Sequence, residues 1–374
     1  MKIIGIIIEA NPLHHGHEHL INTVKKEHKP DCLVAVVSTY FTMRGDLNCV
    51  TKKEKINQLL DSGFDLVFEL PIALSMHRSD IFAENSVRIL KTIGITHLAF
   101  GSEIQNLDLF NRLLAVRELP EYQELFKYYL NTNASYKQAS IKALSHYFDP
   151  NLISVFSHPN FTLGLEYLKF LKDTNIEPII IKRIGSYNEI TPTSSITSAT
   201  AIRNLLTNKE DISKYVSYVK YLDLETMNKN LFEIIKYKLL VETKSLNTDV
   251  EGIGNYIRNN GDFNTDYNDF VNKLANKKYT KTRIRRYIVN LLINNRLPHI
   301  IENNYLRLVG FNSTGINYIN SLDSTIKEHI FSTPKNVKNE EIQKYLDLEI
   351  KAAKLFSLIS NTEIDEFKLP FRKD

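Results

Sequence analysis

The sequence predicts an α/β protein, a doubly wound parallel sheet joined to a second, mainly helical domain. Three observations carry this. The first hundred residues alternate short apolar runs with stretches of helical length; each run is rich in β-branched residues and ends in a polar or Gly/Pro turn; and after about residue 208 the strand signal gives way to amphipathic patterns. Strands buried on both faces read as continuous apolar segments, and strands separated by helices form parallel crossovers.

In chain order, KIIGIIIEA, DCLVAVVST, DLVFELP and HLAFGSE predict strands near 2–9, 31–38, 65–70 and 97–101. Residues from about 107 to 148 read as helical. EPIIIKRI at 177–184 reads as one more strand, and a helix begins within TPTSSITSATAIRNLL. LFEIIKYKLL and RIRRYIVNLLINN then repeat apolar residues at helical spacing. The boundary falls near 206–215, which gives a catalytic domain at 1–207 and a helical domain at 208–374.

A chain of 374 residues is long enough for two such domains. The apolar start MKIIGIII is cut by Glu9 and Asn11 short of a signal-peptide core, and no later stretch could span a bilayer. A soluble, cytoplasmic protein with no membrane partner is expected. Cys32 and Cys49 form no C-x-x-C pair and suit a reducing compartment as ordinary buried thiols. The net charge of +4 announces no nucleic-acid partner unless it is concentrated somewhere.

Chemistry concentrates first in EANPLHHGHEHL, residues 9–20, which follows the first strand and opens the first helix. Ligands gather at the carboxyl ends of strands in such sheets, and a helix N-terminus offers free N–H groups and a positive dipole to phosphate. Gly16 allows close backbone approach. His14 and His17, three apart, can project to one side of the first turn and stabilise charge building on an α-phosphate and its departing pyrophosphate. HEHL is not H-E-x-x-H and no cysteine cluster accompanies it, so the histidines are not read as metal ligands. His15 and His19 are read as lying on the exposed helix face.

A second signal is SATAIR at 198–203, where Ser198 and Thr200 sit at a helix start and Arg203 follows within a turn, an arrangement able to hold the β- and γ-phosphates. Hydroxyl residues are also ordinary helix caps. A third is KLANKKYTKTRIRR at 273–286, with seven Lys/Arg, no Asp/Glu, and tyrosines interleaved. Lys277, Lys278, Lys281, Arg283 and Arg286 could contact RNA phosphates while Tyr279 and Tyr287 stack on bases, or the segment could be a solvated face of a Lys-rich protein.

Together with FTMRG, DLVFELP, FGSE, HPNFTLGLEYLK, IKRIGSY and RLVGFN, these blocks make the sequence resemble the HxGH nucleotidyltransferases and, among them, the tRNA(Met) cytidine acetate ligase family. The loop departs from the family's usual pattern at Ala10, Leu13 and His15, whereas His14, Gly16 and His17 match. The resemblance implies an α/β fold of the HxGH type and a two-step ligation. Acetate attacks ATP to give acetyl-adenylate and pyrophosphate; the exocyclic amine of the wobble cytidine of elongator tRNA(Met) then takes the acetyl group and AMP leaves. It also implies an ATP segment from Ile7 to Leu20, including Ile8, Glu9, Ala10, Asn11, Pro12 and Leu13, with further nucleotide contacts at Gly101, Asn160, Arg183 and Ile184. Magnesium would accompany ATP. No protein partner is implied, and RNA contact by the basic segment is favoured. Two other readings stay open: a small-molecule adenylyltransferase, which gives the basic segment no role, and an RNA-binding protein that has lost turnover.

Overall fold

The computed structural model describes residues 1–374 apart from 133–135, 157, 184–195, 219, 243–251 and 369. Its centre is one sheet. Strands β1 (Ile3–Ile8), β2 (Cys32–Val37), β3 (Leu66–Glu69), β4 (His97–Ser102) and β5 (Glu177–Lys182) are mutually parallel in the order β5-β4-β1-β2-β3. These match the expected strands to within one or two residues at each end. The strand order reverses beside β1, and ligands bind at such a switch point.

Helices alternate with the strands as expected: α1 (His15–Thr23) after β1, α2 (Lys52–Ser62) after β2, α3 (Ile72–Ser75) and α4 (Ser79–Thr92) after β3. The predicted helical stretch after β4 resolves into α5 (Leu107–Glu118), α6 (Pro120–Asn131) and α7 (Tyr136–Leu144), followed by α8 (Pro150–Val155) and α9 (Pro159–Leu171). The pleat sorts β1 between two cores. Ile4, Ile6 and Ile8 pack with Ile21 of α1 and Leu59 of α2, while Ile3 and Ile7 join the larger core that includes Phe82 of α4 and Leu165 of α9.

Beyond β5 come α10 (Ala199–Thr207), α11 (Leu224–Leu240), α12 (Ile253–Asn260), α13 (Tyr267–Leu274) and α14 (Lys281–Leu292). The chain then returns to the sheet, which the sequence reading did not foresee. β6 (Leu306–Phe311) pairs antiparallel with β3, and the short β7 (Ile330–Phe331) and β8 (Phe371–Arg372) flank it; α15 (Ser313–Ser321), α16 (Ser324–Lys327) and α17 (Glu340–Ser360) lie between them. RLVGFN, quoted above only as a family block, is thus a strand of the central sheet.

A buried charge cluster fixes this return. Arg307 of β6, wholly buried, donates to Glu69 of β3 and pairs with Glu366, both at 2.7 Å; Lys52 of α2 holds Glu366 from the other side at 2.8 Å. Two cations thus face two carboxylates. Glu349 of α17 is the third carboxyl, pushed up to about 8 by burial and then by the Glu69 charge, and it bonds Thr39 Oγ1 at 2.7 Å. Charges this deep persist only when paired.

Candidate active site

The turn after β1 is built around histidine caps. His14 takes an extended backbone (φ −137°, ψ 169°) and caps α1: its Nδ1 accepts the Gly16 N–H at 3.0 Å, while His17 Nδ1 accepts the His14 N–H at 3.4 Å. Histidines thus fill both places of a capping box ordinarily filled by Ser/Thr and Glu. Because each Nδ1 is an acceptor, each ring is the Nε2–H tautomer, and Nε2–H is the donor left for the cavity. The rings lie 4.0 Å apart. Burial, followed by the His17 charge, holds His14 well below the usual histidine range; burial and then Arg183 and Lys55 bring His17 to about 3. Both imidazoles are neutral donors at physiological pH. Gly16 is required by this packing, since a Cβ there would sit 2.8 Å from His14 Cε1.

These rings line a cavity of about 360 Å³ at the carboxyl ends of β1, β4 and β5. The predicted Ile7, Ile8, Glu9, Ala10, Asn11, His14, Gly16, His17, Leu20, Gly101, Asn160, Arg183, Ser198, Thr200 and Arg203 all line it. Pro12 and Leu13 do not: Leu13 is wholly buried under the α1/α2 face. Ile184 lies outside the described residues. His19, expected on the outer face, also lines the cavity, and His15 is half-buried and 3.9 Å from Glu18.

Each wall is held by its own partners. Asn160 Nδ2 donates to Glu103 at 2.8 Å, and the other Glu103 oxygen takes the Phe161 N–H at the start of α9. Gly101 lies under the Arg183 stem, where a Cβ would meet Arg183 Cγ at 3.2 Å. Ser198 caps α10 by accepting the Ala201 N–H. Arg203 donates to Asn11 O at 2.7 Å, tying α10 to the β1 turn. Lys55 of α2, wholly buried, was not foreseen; its ammonium donates to the carbonyls of Glu9 and Ser38 and to Asn48 Oδ1, and burial lowers it to about 8. No local spacing in the sequence betrays it, because its acceptors lie on separate segments.

Also missed was the loop at 42–46, where Thr42, Met43, Arg44 and Asp46 complete the cavity. Gly45, at φ +78°, presses on the α14 backbone, so a Cβ would fall 2.7 Å from Arg286 N. Asp46 accepts from Arg285 at 2.8 Å and from Arg203 at 3.5 Å, linking α14 to α10 through the cavity wall. Arg286 donates to His77 O at 2.5 Å. Of the five predicted RNA-contacting residues, Lys277, Lys278 and Lys281 are exposed, while Arg283 and Arg286 are partly covered. Tyr279 is buried against Tyr256, with ring centroids 4.9 Å apart, so it is unavailable to stack on a base.

A parallel sheet whose first strand runs into a histidine-capped helix, facing a cavity lined by a second capped helix and an arginine, defines a nucleotidyltransferase of the HIGH type. The HIGH Nucleotidyl Transferase family matches residues 1–369. The tRNA(Met) cytidine acetate ligase of Clostridium acetobutylicum is 34% identical over 97% of this chain and 96% of its own length; that of Caldicellulosiruptor saccharolyticus is 32% identical over 96% and 94%. Thermotoga maritima TmcAL, solved without ligand and with alpha-thio ATP, superposes with TM-scores of 0.86 and 0.84 at 23% identity, covering 100% of this chain and 99% of that one. The chain belongs to the HIGH nucleotidyltransferases and, within them, to the tRNA(Met) cytidine acetate ligase family.

Proposed function

We propose that the protein is an ATP-dependent tRNA cytidine acetate ligase, which activates acetate as acetyl-adenylate and acetylates the exocyclic amine of the wobble cytidine of elongator tRNA(Met). The observation that carries the reading is the pair of neutral, tautomer-fixed imidazoles at a helix N-terminus inside the cavity. In the first step an acetate oxygen attacks the α-phosphorus and pyrophosphate leaves. Charge grows on the α-phosphate and the leaving group, and donors already oriented there stabilise it without reorganising. His14 and His17 take this role. Arg203 and the α10 start, with Ser198 and Thr200, hold the outer phosphates, and magnesium enters with ATP as part of the substrate.

Gly101, Asn160, Arg183 and Ile184 serve the nucleoside. A free carboxylate acylates poorly and a mixed anhydride well, which is why ATP is spent. Residues 1–207 provide the catalytic unit, and the basic segment within 208–374, through the exposed Lys277, Lys278 and Lys281 and the partly covered Arg283, meets the tRNA backbone, while Arg286 is held by the His77 carbonyl. Among the described residues no helix is long and apolar enough to cross a membrane, and we place the enzyme in the cytoplasm with its tRNA.

Alpha-thio ATP on the Thermotoga maritima homologue supports the nucleotide assignment. Incubation with labelled ATP, acetate and tRNA, each omitted in turn and with acetyl-CoA absent, tests the reading. The expected products are pyrophosphate, AMP and acetylated tRNA. Release of ADP and phosphate, or AMP retained on a small product, would overturn it.

A further inference from the structure

We propose that Glu9 and Tyr167 form the acceptor half of the cavity, where the exocyclic amine of cytidine passes its proton to Glu9 as it attacks the acyl-adenylate. This deepens the ligase reading and rests on it. Tyr167 projects from α9 into the cavity yet is only 4% exposed, packed edge-on against Phe100 with centroids 5.7 Å apart. Its hydroxyl has no hydrogen-bond partner among the described residues. The hydroxyl is open to the cavity, so it is a donor available to a polar ligand bound there. Burial, and then the Glu9 charge, push the phenol well above its usual range, so it remains a neutral donor close to that carboxylate.

Glu9 spends one oxygen on the protein. Its Oε1 accepts the Met43 N–H at 2.5 Å and the Ser38 hydroxyl at 3.5 Å; Oε2 has no donor among the described residues. A carboxylate here repels acetate and phosphate and favours a ligand that offers a donor. The cytosine edge carries an amine donor beside ring-nitrogen and carbonyl acceptors, which matches a carboxylate next to a phenol O–H. Met43, Phe82 and Phe100 supply the apolar walls that a planar base needs once it has left its stack.

The chemistry calls for a base at this point. The amine lone pair is delocalised into the ring, so the nitrogen attacks well only as its proton departs. As the new N–C bond forms at the acetyl carbonyl, the C–O bond to AMP breaks, AMP leaves with the electron pair, and the amine proton passes to Glu9 Oε2.

The test separates the two half-reactions in full-length Glu9→Gln and Tyr167→Phe proteins, with folding checked by circular dichroism. Acetyl-adenylate made from ATP and acetate is trapped with hydroxylamine, and transfer to tRNA is followed in a single turnover. Gln keeps the acceptor for the Met43 N–H and loses the base. Transfer in Glu9→Gln should fall about 100-fold or more, at least tenfold beyond any loss in adenylate formation. Tyr167→Phe should also lose more in transfer than in activation. Equal losses in both steps would assign Glu9 to the nucleotide, and unchanged transfer would leave it only as an anchor of the 42–46 loop; either overturns the proposal. Absence of acetyl-adenylate from wild type would instead remove the ligase reading, and this inference with it.

Discussion

The start of α1 and the start of α14 both announce themselves in the sequence as clusters of nitrogen-bearing side chains, yet the fold uses them in opposite ways. At α1 the cluster is satisfied within four residues: His14 bonds Gly16, His17 bonds His14, and both rings are left aimed by their own helix. At α14 the cluster is divided by distant partners. Arg285 is drawn to Asp46 and Arg286 to His77 O, each more than two hundred residues away, while Lys277, Lys278 and Lys281 stay in solvent. Short-range organisation makes a motif readable from sequence; long-range organisation decides which members of a charge run are free.

The largest expected effect breaks the first region alone. His17→Ala removes one preorganised donor and the partner of the His14 N–H, so acetyl-adenylate formation should fall about 100- to 1000-fold. Affinity for tRNA should be unchanged, as measured by filter binding. Unaltered pyrophosphate release would remove His17 from the chemistry.

A second expectation uses pH to sharpen the same contrast. His17 is held near 3 in the folded protein, against about 6.5 for an unperturbed imidazole. The unfolded chain therefore binds a proton below 6.5 that the folded chain refuses until about 3. This contribution is fully present above 6.5 and is lost as pH falls through that window. The melting temperature of wild type should drop more steeply than that of His17→Ala between pH 6.5 and 4.5. Parallel curves would mean that the imidazole titrates normally in the folded state.

The same distinction governs what could be read in advance. The parallel strands and the HHGH turn were legible because apolar runs and capping spacings are local signals. β6 was not, because a short apolar segment interrupted by Arg307, after several amphipathic helices, carries no mark of where it pairs; its place is set by Arg307 meeting Glu69, 238 residues away, and Glu366, 59 residues away. Lys55, Asp46 and Tyr167 escaped for the same reason. Each is an unremarkable member of a helix or loop until the fold brings its partners or its cavity to it. Tyr279, read as a stacking aromatic, was claimed by the core because Tyr256 packs against it.

The third expectation is graded and tests the division inside the basic segment. Replacing Lys277, Lys278 and Lys281 with Ala removes three exposed charges, whereas Arg286→Ala removes one that is already spent on a carbonyl and partly covered. Each phosphate contact releases condensed counterions, so the triple variant should lower the magnitude of the log–log salt slope of tRNA binding by up to roughly two to three units. Arg286→Ala should change that slope by well under one unit and instead lower the melting temperature. It loosens α14 from the chain at His77, and a hydrogen bond to a charged group contributes about 1.5–3 kcal/mol. Acetyl-adenylate formation should be nearly unchanged in the lysine variant, whose side chains do not line the cavity. If Arg286→Ala flattens the slope as much as one lysine does, its guanidinium leaves His77 for the RNA. If the lysine variant leaves the slope intact, the exposed half of the segment is a solvated face and the tRNA backbone is held elsewhere.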